Sequence, residues 1–151
     1  MNDEIRQFVR ERANYSCEYC GVSETDSGGE LTIDHFKPQS KNGSDEKENL
    51  VYACVRCNLY KSDYYPETET DKELWNPRFE TSENHFVELP NGKLFALTDT
   101  GVFTIKLLRL NRNPLVNYRV KKQKEIENRI LLESYRNVLE ILRKTLEKQR
   151  F

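Results

Sequence analysis

All four cysteines of the chain stand in two Cys-x-x-Cys pairs, Cys17/Cys20 and Cys54/Cys57, separated by 33 residues. Four thiols in that pattern suit a tetrahedral zinc ion. With all four positions filled by sulfur the metal has no place for water, so its role is structural. Between the pairs lies side-chain chemistry of another kind, Asp34, His35 and Asn49, with Asn58 directly after Cys57. His35 is one of only two histidines, and is the side chain of this set able to take a proton from water near neutral pH. The Asp34 carboxylate and Asn58 amide oxygen are hard donors, suited to Mg²⁺ or Mn²⁺ and not to a second zinc. A proton acceptor beside oxygen ligands for a hydrated cation is the equipment for hydrolysing a phosphodiester.

Short elements must position these groups. Asn2/Asp3 can cap a helix whose apolar face is Ile5, Phe8 and Val9 and which runs to about Ala13. Cys17 to Gly21 reads as a zinc knuckle. Leu31 to His35 alternates like a strand with Leu31 and Ile33 inward, an alternation that sends Asp34 and His35 to opposite sides of the backbone. Lys37 to Glu48 has no apolar period and contains Asn42-Gly43, so it is expected as a surface loop. Asn49 to Tyr52 begins a second strand, and Cys54 to about Tyr64 reads as a helix. The order is strand, loop, strand, helix, with one thiol pair at each end.

Beyond this module, Pro66 to Pro77 is an acidic connector. His85–Leu89 and Lys93–Leu97 flank Pro90-Asn91-Gly92, a hairpin signal. Asp99/Thr100 can cap a helix through Val102, Ile105, Leu108 and Leu110. Asn113-Pro114 starts another, in which Ile126, Ile130, Leu131, Val138, Leu139, Leu142 and Leu146 keep a helical period. Unbroken to Arg150 it would span roughly 50 Å at ~1.5 Å per residue, so it must pack across the module or pair with another chain as a homodimer. The expected fold class is therefore α+β: a zinc-stapled module over residues 1–65, followed at 66–151 by connector, hairpin and helical extension packed on it or dimerising with it.

The chain has 151 residues, 36% hydrophobic and 32% charged, with no apolar run long enough to span a membrane. Its first residues, Met-Asn-Asp-Glu-Ile-Arg, are acidic and lack the apolar stretch of a secretory signal, so a cytoplasmic location is expected. Paired cysteines in a reducing compartment favour zinc over disulfides. The net charge of −1 conceals an asymmetry. Residues 106–151 carry 13 Lys/Arg against 5 Asp/Glu, and residues 1–105 carry 11 against 20. A basic C-terminal region can meet a polyanion locally, although a solvated helix face has the same composition.

The chain resembles the HNH endonucleases of the ββα-metal (His-Me finger) class. The likeness rests on Cys17-x-x-Cys20, Ile33-Asp34-His35-Phe36-x-Pro38, Ser40-x-x-Gly43-Ser44, Asn49-Leu50 and Cys54-x-x-Cys57-Asn58-x-x-Lys61. Leu74-Trp-Asn-Pro-Arg78, Asn84-His-Phe86, Leu97-Thr98, Gly101 and Leu110-Asn111-Arg112 are similar to an extension found in a bacterial subset of these proteins. The resemblance implies a DNA endonuclease of the H-N-N type. His35 would be its general base, with the ring held by the backbone carbonyl of Asn49. A twist at the strand's end, which the resemblance also implies, would bring Asp34 and His35 to one site, where Asp34 and Asn58 would hold a single Mg²⁺ or Mn²⁺ that stabilises the departing 3′-oxygen, leaving a 5′-phosphate. Plainer readings stand beside each role: Asp34 as a turn or knuckle cap, Asn49 as an Asx turn, Asn58 as a helix cap, His35 as a structural histidine. Lys61 suits a phosphate contact or plain solvation. Arg78, Arg109 and Arg112 are candidate phosphate contacts, and His85 fits a hydrogen-bonded structural role better than a place in the site. Tyr64, Tyr65, Trp75 and Phe79 are expected to fill a core. The competing function is a zinc-stapled nucleic-acid-binding or assembly module without catalysis.

Overall fold

The structure is a computed structural model that describes residues 3–149, so the expected Asn2 cap lies outside the described residues. Helix α1 (Asp3–Arg12) has Asp3 and Glu4 in its first turn and Arg10 and Arg12 in its last, each end matched to the helix dipole. Val9 is its buried residue, whereas Phe8 stays at the surface, where the Lys47 ammonium lies 4.0 Å from its ring centre. A short helix α2 (Glu24–Ser27) forms in the polar loop after the first knuckle, because Ser23 Oγ accepts the Asp26 N–H as an N-cap.

The expected strand–loop–strand–helix order is present. Strand β1 (Thr32–His35) pairs antiparallel with β2 (Leu50–Ala53), His35 opposite Leu50 and Asp34 opposite Val51, and α3 (Val55–Lys61) follows. The loop between the strands contains one 3₁₀ turn, Gln39–Lys41. Every residue of β2 is fully buried, with both α1 and α3 packed against it. The face of β1 differs from expectation. Leu31 is buried, but Ile33 is only half-buried, while Asp34 and Phe36 are buried. Asp34 can face inward because its carboxylate finds polar partners there. Helix α3 stops at Lys61 and not at Tyr64, because Ser62 takes a positive φ of 51° and turns the chain away.

The hairpin joins β3 (Phe86–Glu88) to β4 (Leu94–Ala96) around Gly92. Gly92 has φ +77°, and a Cβ there would sit 2.4 Å from the Val116 carbonyl, so this turn docks too closely for any other residue. Helix α4 (Asp99–Leu107) is capped by Thr98, one residue before the expected caps, with Thr98 Oγ1 accepting the Gly101 N–H. It ends before Leu108 and Leu110, since Arg109 adopts φ 49°. Helix α5 (Asn113–Lys148) has Pro114 in its first turn, and Asn113 is its first residue, not its cap.

A single apolar cluster runs through both parts of the chain, uniting Cys17, Cys57 and β2 with Trp75, Leu108, Leu110 and Leu115. The near end of α5 is fastened to it. Buried Arg119 donates to the Gly92 and Leu110 carbonyls at 2.9 and 2.7 Å, and Tyr118 Oη donates to the Gly21 carbonyl at 3.0 Å. The far end is not. From Lys124 to Gln149 every residue is exposed, and the apolar residues from Ile126 to Leu146 are 50–65% accessible. The expectation that this helix packs across the module is therefore corrected: its charged inner turns dock and the apolar stripe projects. No helix of the described residues is long and apolar enough to cross a membrane.

Amide exchange should divide α5 accordingly. Slow exchange is expected around Leu115–Arg119 and fast exchange beyond Lys124 in dilute protein, because an unpacked helix is only marginally stable in water. Protection beyond Lys124 that rises with protein concentration would mark pairing between chains.

Candidate active site and metal centre

The two knuckles converge. All four cysteines are buried, and their Sγ atoms lie within 4.8 Å of one another. The Cys20–Cys54 sulfur separation is 3.7 Å, against about 3.8 Å for the edge of a tetrahedron with zinc–sulfur bonds of ~2.3 Å. The first knuckle closes through Gly21 N–H to the Cys17 carbonyl (2.8 Å) and Cys17 N–H to the Val22 carbonyl (2.9 Å), with Gly21 at φ +78°. In the second, Cys54 caps α3 and its sulfur accepts the Cys57 N–H at 3.4 Å. Arg112 brings Nη2 to 3.9 and 3.8 Å from the Cys54 and Cys57 sulfurs, a positive charge beside four candidate thiolates. Burial pushes the Cys17 thiol well above its usual range, so a thiolate at that position calls for a positive charge beside it. The arrangement fits a structural metal and is consistent with zinc. Purified protein should carry about one zinc per chain by elemental analysis. A strong chelator, or Cys57→Ser, should abolish the cooperative thermal transition.

Asp34 and Lys61 form the other buried polar centre. The Asp34 carboxylate accepts from Tyr19 Oη at 2.9 Å and lies 3.3 and 3.2 Å from Lys61 Nζ through its two oxygens. Both residues are buried, Lys61 almost completely. Burial raises the Asp34 pKa and Lys61 opposes it; burial lowers the Lys61 pKa and Asp34 opposes that. Lys61 Nζ also donates to the His35 carbonyl at 2.9 Å, which pins the end of β1. Lys61 is thus neither solvated nor free to meet a phosphate in this structure. Thr32 and Asp34 share one face of β1, and α3 sets Asn58 Nδ2 3.3 Å from Thr32 Oγ1 and Lys61 against Asp34. Asn58 and Lys61, one helical turn apart on α3, thus face Thr32 and Asp34, two residues apart on the same face of β1. Lys61→Ala should lower unfolding free energy by about 3–5 kcal/mol, because it strands a buried carboxylate. Denaturant titration measures that loss, and adding Asp34→Asn in the same chain should return part of it.

His35 points the other way, as alternation requires. Its Nε2 lies 2.6 Å from Asp45 Oδ1, which also accepts from Gln39 Nε2 at 3.0 Å. The hydrogen bond from His35 holds the Asp45 carboxyl below the usual carboxylate range. The expected grip of the Asn49 carbonyl on the His35 ring is not found. That carbonyl accepts the Phe36 N–H at 2.8 Å, since it belongs to the strand ladder. Asn49 does brace the loop, through side-chain bonds to Lys37 and Ser44.

The remaining candidates divide. Arg78 is drawn inward to Glu18, whose other oxygen accepts the Tyr52 N–H at 2.7 Å, so it is a link between connector and knuckle and not a phosphate contact. Arg109 lies over the Tyr60 ring, 4.7 Å from its centre. His85 uses both nitrogens within the extension, with Thr98 Oγ1 at 2.7 Å and Glu80 Oε2 at 2.9 Å. Trp75 is buried, Tyr64 and Tyr65 are half-buried, and Phe79 is 72% exposed, contrary to the core role expected of it. Tyr19, Asp45 and the metal-side position of Arg112 carried no signal in the sequence, because each acquires its partner only through the tertiary fold.

Residues 17–63 match the HNH endonuclease family. This segment is an HNH domain. It holds both knuckles, Asp34, His35, Asn49 and Asn58, and the match supports nuclease-type chemistry for it. A 52-residue stretch, 34% of the chain, is 44% identical to part of the CRISPR-associated endonuclease Cas9 of Corynebacterium diphtheriae and covers 5% of that protein. The Septu protein PtuA of Bacillus mycoides is 26% identical over 155 residues, covering 82% of this chain and 21% of PtuA. The chain thus spans about a fifth of one curated relative and a twentieth of the other. No solved structure matches it significantly.

Proposed function

We propose that this chain is a metal-dependent endonuclease that hydrolyses DNA phosphodiester bonds, with residues 1–65 as the nuclease module and 66–151 as its extension. The observation that supports the reading is the His35–Asp45 contact within the HNH segment, an imidazole held 2.6 Å from a carboxylate. Asp34 and Asn58 lie across β1 from it, so base and ion would have to meet one phosphate around the end of the strand, where His35 is the last residue. His35 takes the proton from the attacking water. The oxygens of Asp34 and Asn58 would hold one Mg²⁺ or Mn²⁺, whose charge stabilises the departing 3′-oxygen. A carboxylate and an amide oxygen are the hard donors such an ion takes. Asp34 now has Lys61 Nζ 3.2 Å from Oδ2, so the ion would have to take that place beside the carboxylate. The surplus of Lys and Arg after residue 106 gives the polyanion a surface to meet.

The test uses supercoiled plasmid and the zinc-loaded protein. Nicking or cutting should need added Mg²⁺ or Mn²⁺, stop with EDTA, and fall by about 10²–10⁴-fold in His35→Ala, with zinc content unchanged. Equal cutting by wild type and His35→Ala overturns the mechanism.

One feature favours a second reading, a zinc-stapled module that binds nucleic acid or assembles without cutting. Both Asp34 oxygens are already paired, with Tyr19 and Lys61. That reading expects wild type and His35→Ala to bind DNA alike, with steep salt dependence and no cutting by either.

A further inference from the structure

Three devices hold the loop between β1 and β2 in one path. The Asn49 side chain donates to the Lys37 and Ser44 carbonyls at 3.0 and 2.8 Å and accepts the Lys37 N–H at 2.8 Å. Gly43 donates its N–H to the Pro38 carbonyl at 2.9 Å, and a Cβ at residue 43 would fall 1.7 Å from the Lys37 carbonyl oxygen. Only glycine lets the two arms of the loop meet there. Asn42 supplies the left-handed residue, φ 61°, that turns the chain between them. Ser44 is one arm of the Asn49 staple, and the residue after it is Asp45. Asp45 Oδ1 therefore arrives 2.6 Å from His35 Nε2, with Gln39 Nε2 donating to the same oxygen at 3.0 Å.

An ionised carboxylate only accepts hydrogen bonds, so in this contact the imidazole proton is on Nε2. The lone pair is then on Nδ1, which has no hydrogen-bond partner among the described residues. We propose that Asp45 is the positioning residue of the His35 base: it fixes the ring with the proton on Nε2, leaves Nδ1 as the atom that receives the proton of water, and is itself delivered by Asn49 through the stapled loop. The inference rests on the nuclease reading of His35 and names the atom and the support that reading requires. In the step, an O–H bond of water breaks and its proton goes to Nδ1. The water oxygen forms the new bond to phosphorus as the bond to the 3′-oxygen breaks, and that oxygen is protonated by solvent. Asp45 stays ionised throughout and faces the imidazolium that forms.

Two readouts test this. In ¹⁵N-labelled wild-type protein, a His35 Hε2 proton held by the carboxylate should exchange slowly enough to be seen, its signal assigned by its loss in His35→Gln. In Asp45→Ala that signal should vanish into exchange with water, and Asp45→Glu should restore it. The Asp45 side chain is 45% exposed, so these variants should keep wild-type circular dichroism and zinc content. On plasmid, Asp45→Ala should lose on the order of tenfold to a hundredfold in kcat with KM within about twofold, and Asp45→Glu should recover part of kcat. A wild-type spectrum without the Hε2 signal, or an Asp45→Ala variant with unchanged signal and kcat, overturns the proposal. Should wild type show the signal and cut nothing, the nuclease reading fails while the Asp45–His35 contact stands.

Discussion

The meeting of four sulfurs is the constraint on which this fold depends. The sheet of the HNH domain has two strands of four residues each, too little paired backbone to hold itself together in water. Cys17 and Cys20 precede the sheet, and Cys54 and Cys57 sit where β2 passes into α3. One cation among these sulfurs would tie the start of the module to its end and fix the angle at which α3 crosses β1. Because Arg112 approaches the same sulfurs, the extension is tied to that point as well. The sulfurs do no chemistry on substrate, yet every distance between Asp34, Asn58 and Lys61 follows from where they hold the helix.

Given that clamp, the interior of β1 becomes a place for charge and not for oil. Tyr19, inside the first knuckle, and Lys61, at the end of α3, both reach Asp34. Neither could do so if the knuckle and helix were free to move independently. The buried pair is costly to desolvate, and a pair of apolar side chains could fill the same volume.

Much of this could be read in the chain before any coordinates. The spacing of the cysteines, the Asp34-His35 dipeptide and the turn at Pro90-Asn91-Gly92 anticipated the cysteine cluster, strand β1 and the hairpin, because each depends on local chemistry or on neighbours in sequence. What could not be read depends on partners far apart. Alternation made Ile33 an inward residue, and it packs partly buried against the core, but Asp34 on the other face is buried as well because Lys61, 27 residues later, neutralises it. Arg78 looked like a phosphate ligand and is instead held by Glu18, 60 residues earlier. Asp45 sits in a polar loop with no period at all, and only the Asn49 staple gives it an address. Helix α5 was legible as a helix, but its docking was not: Leu115, Tyr118 and Arg119 of its first turns fasten it, not the apolar stripe from Ile126 to Leu146.

The projecting part of α5 has a consequence of scale. From Lys124 to Gln149 it is a rod of about 40 Å at 1.5 Å per residue, rooted in the same body that carries His35. A flexible tail of that many residues would let whatever seized its tip wander through a broad volume around the HNH domain. If a partner pairs with the segment and so keeps it helical, the tip is confined to a shell at nearly fixed radius, and that partner stands off from the HNH domain by a set distance. The length of the helix thus acts as a ruler, and inserting or removing a single turn would move that standoff by about 5 Å and swing the gripping face around the axis.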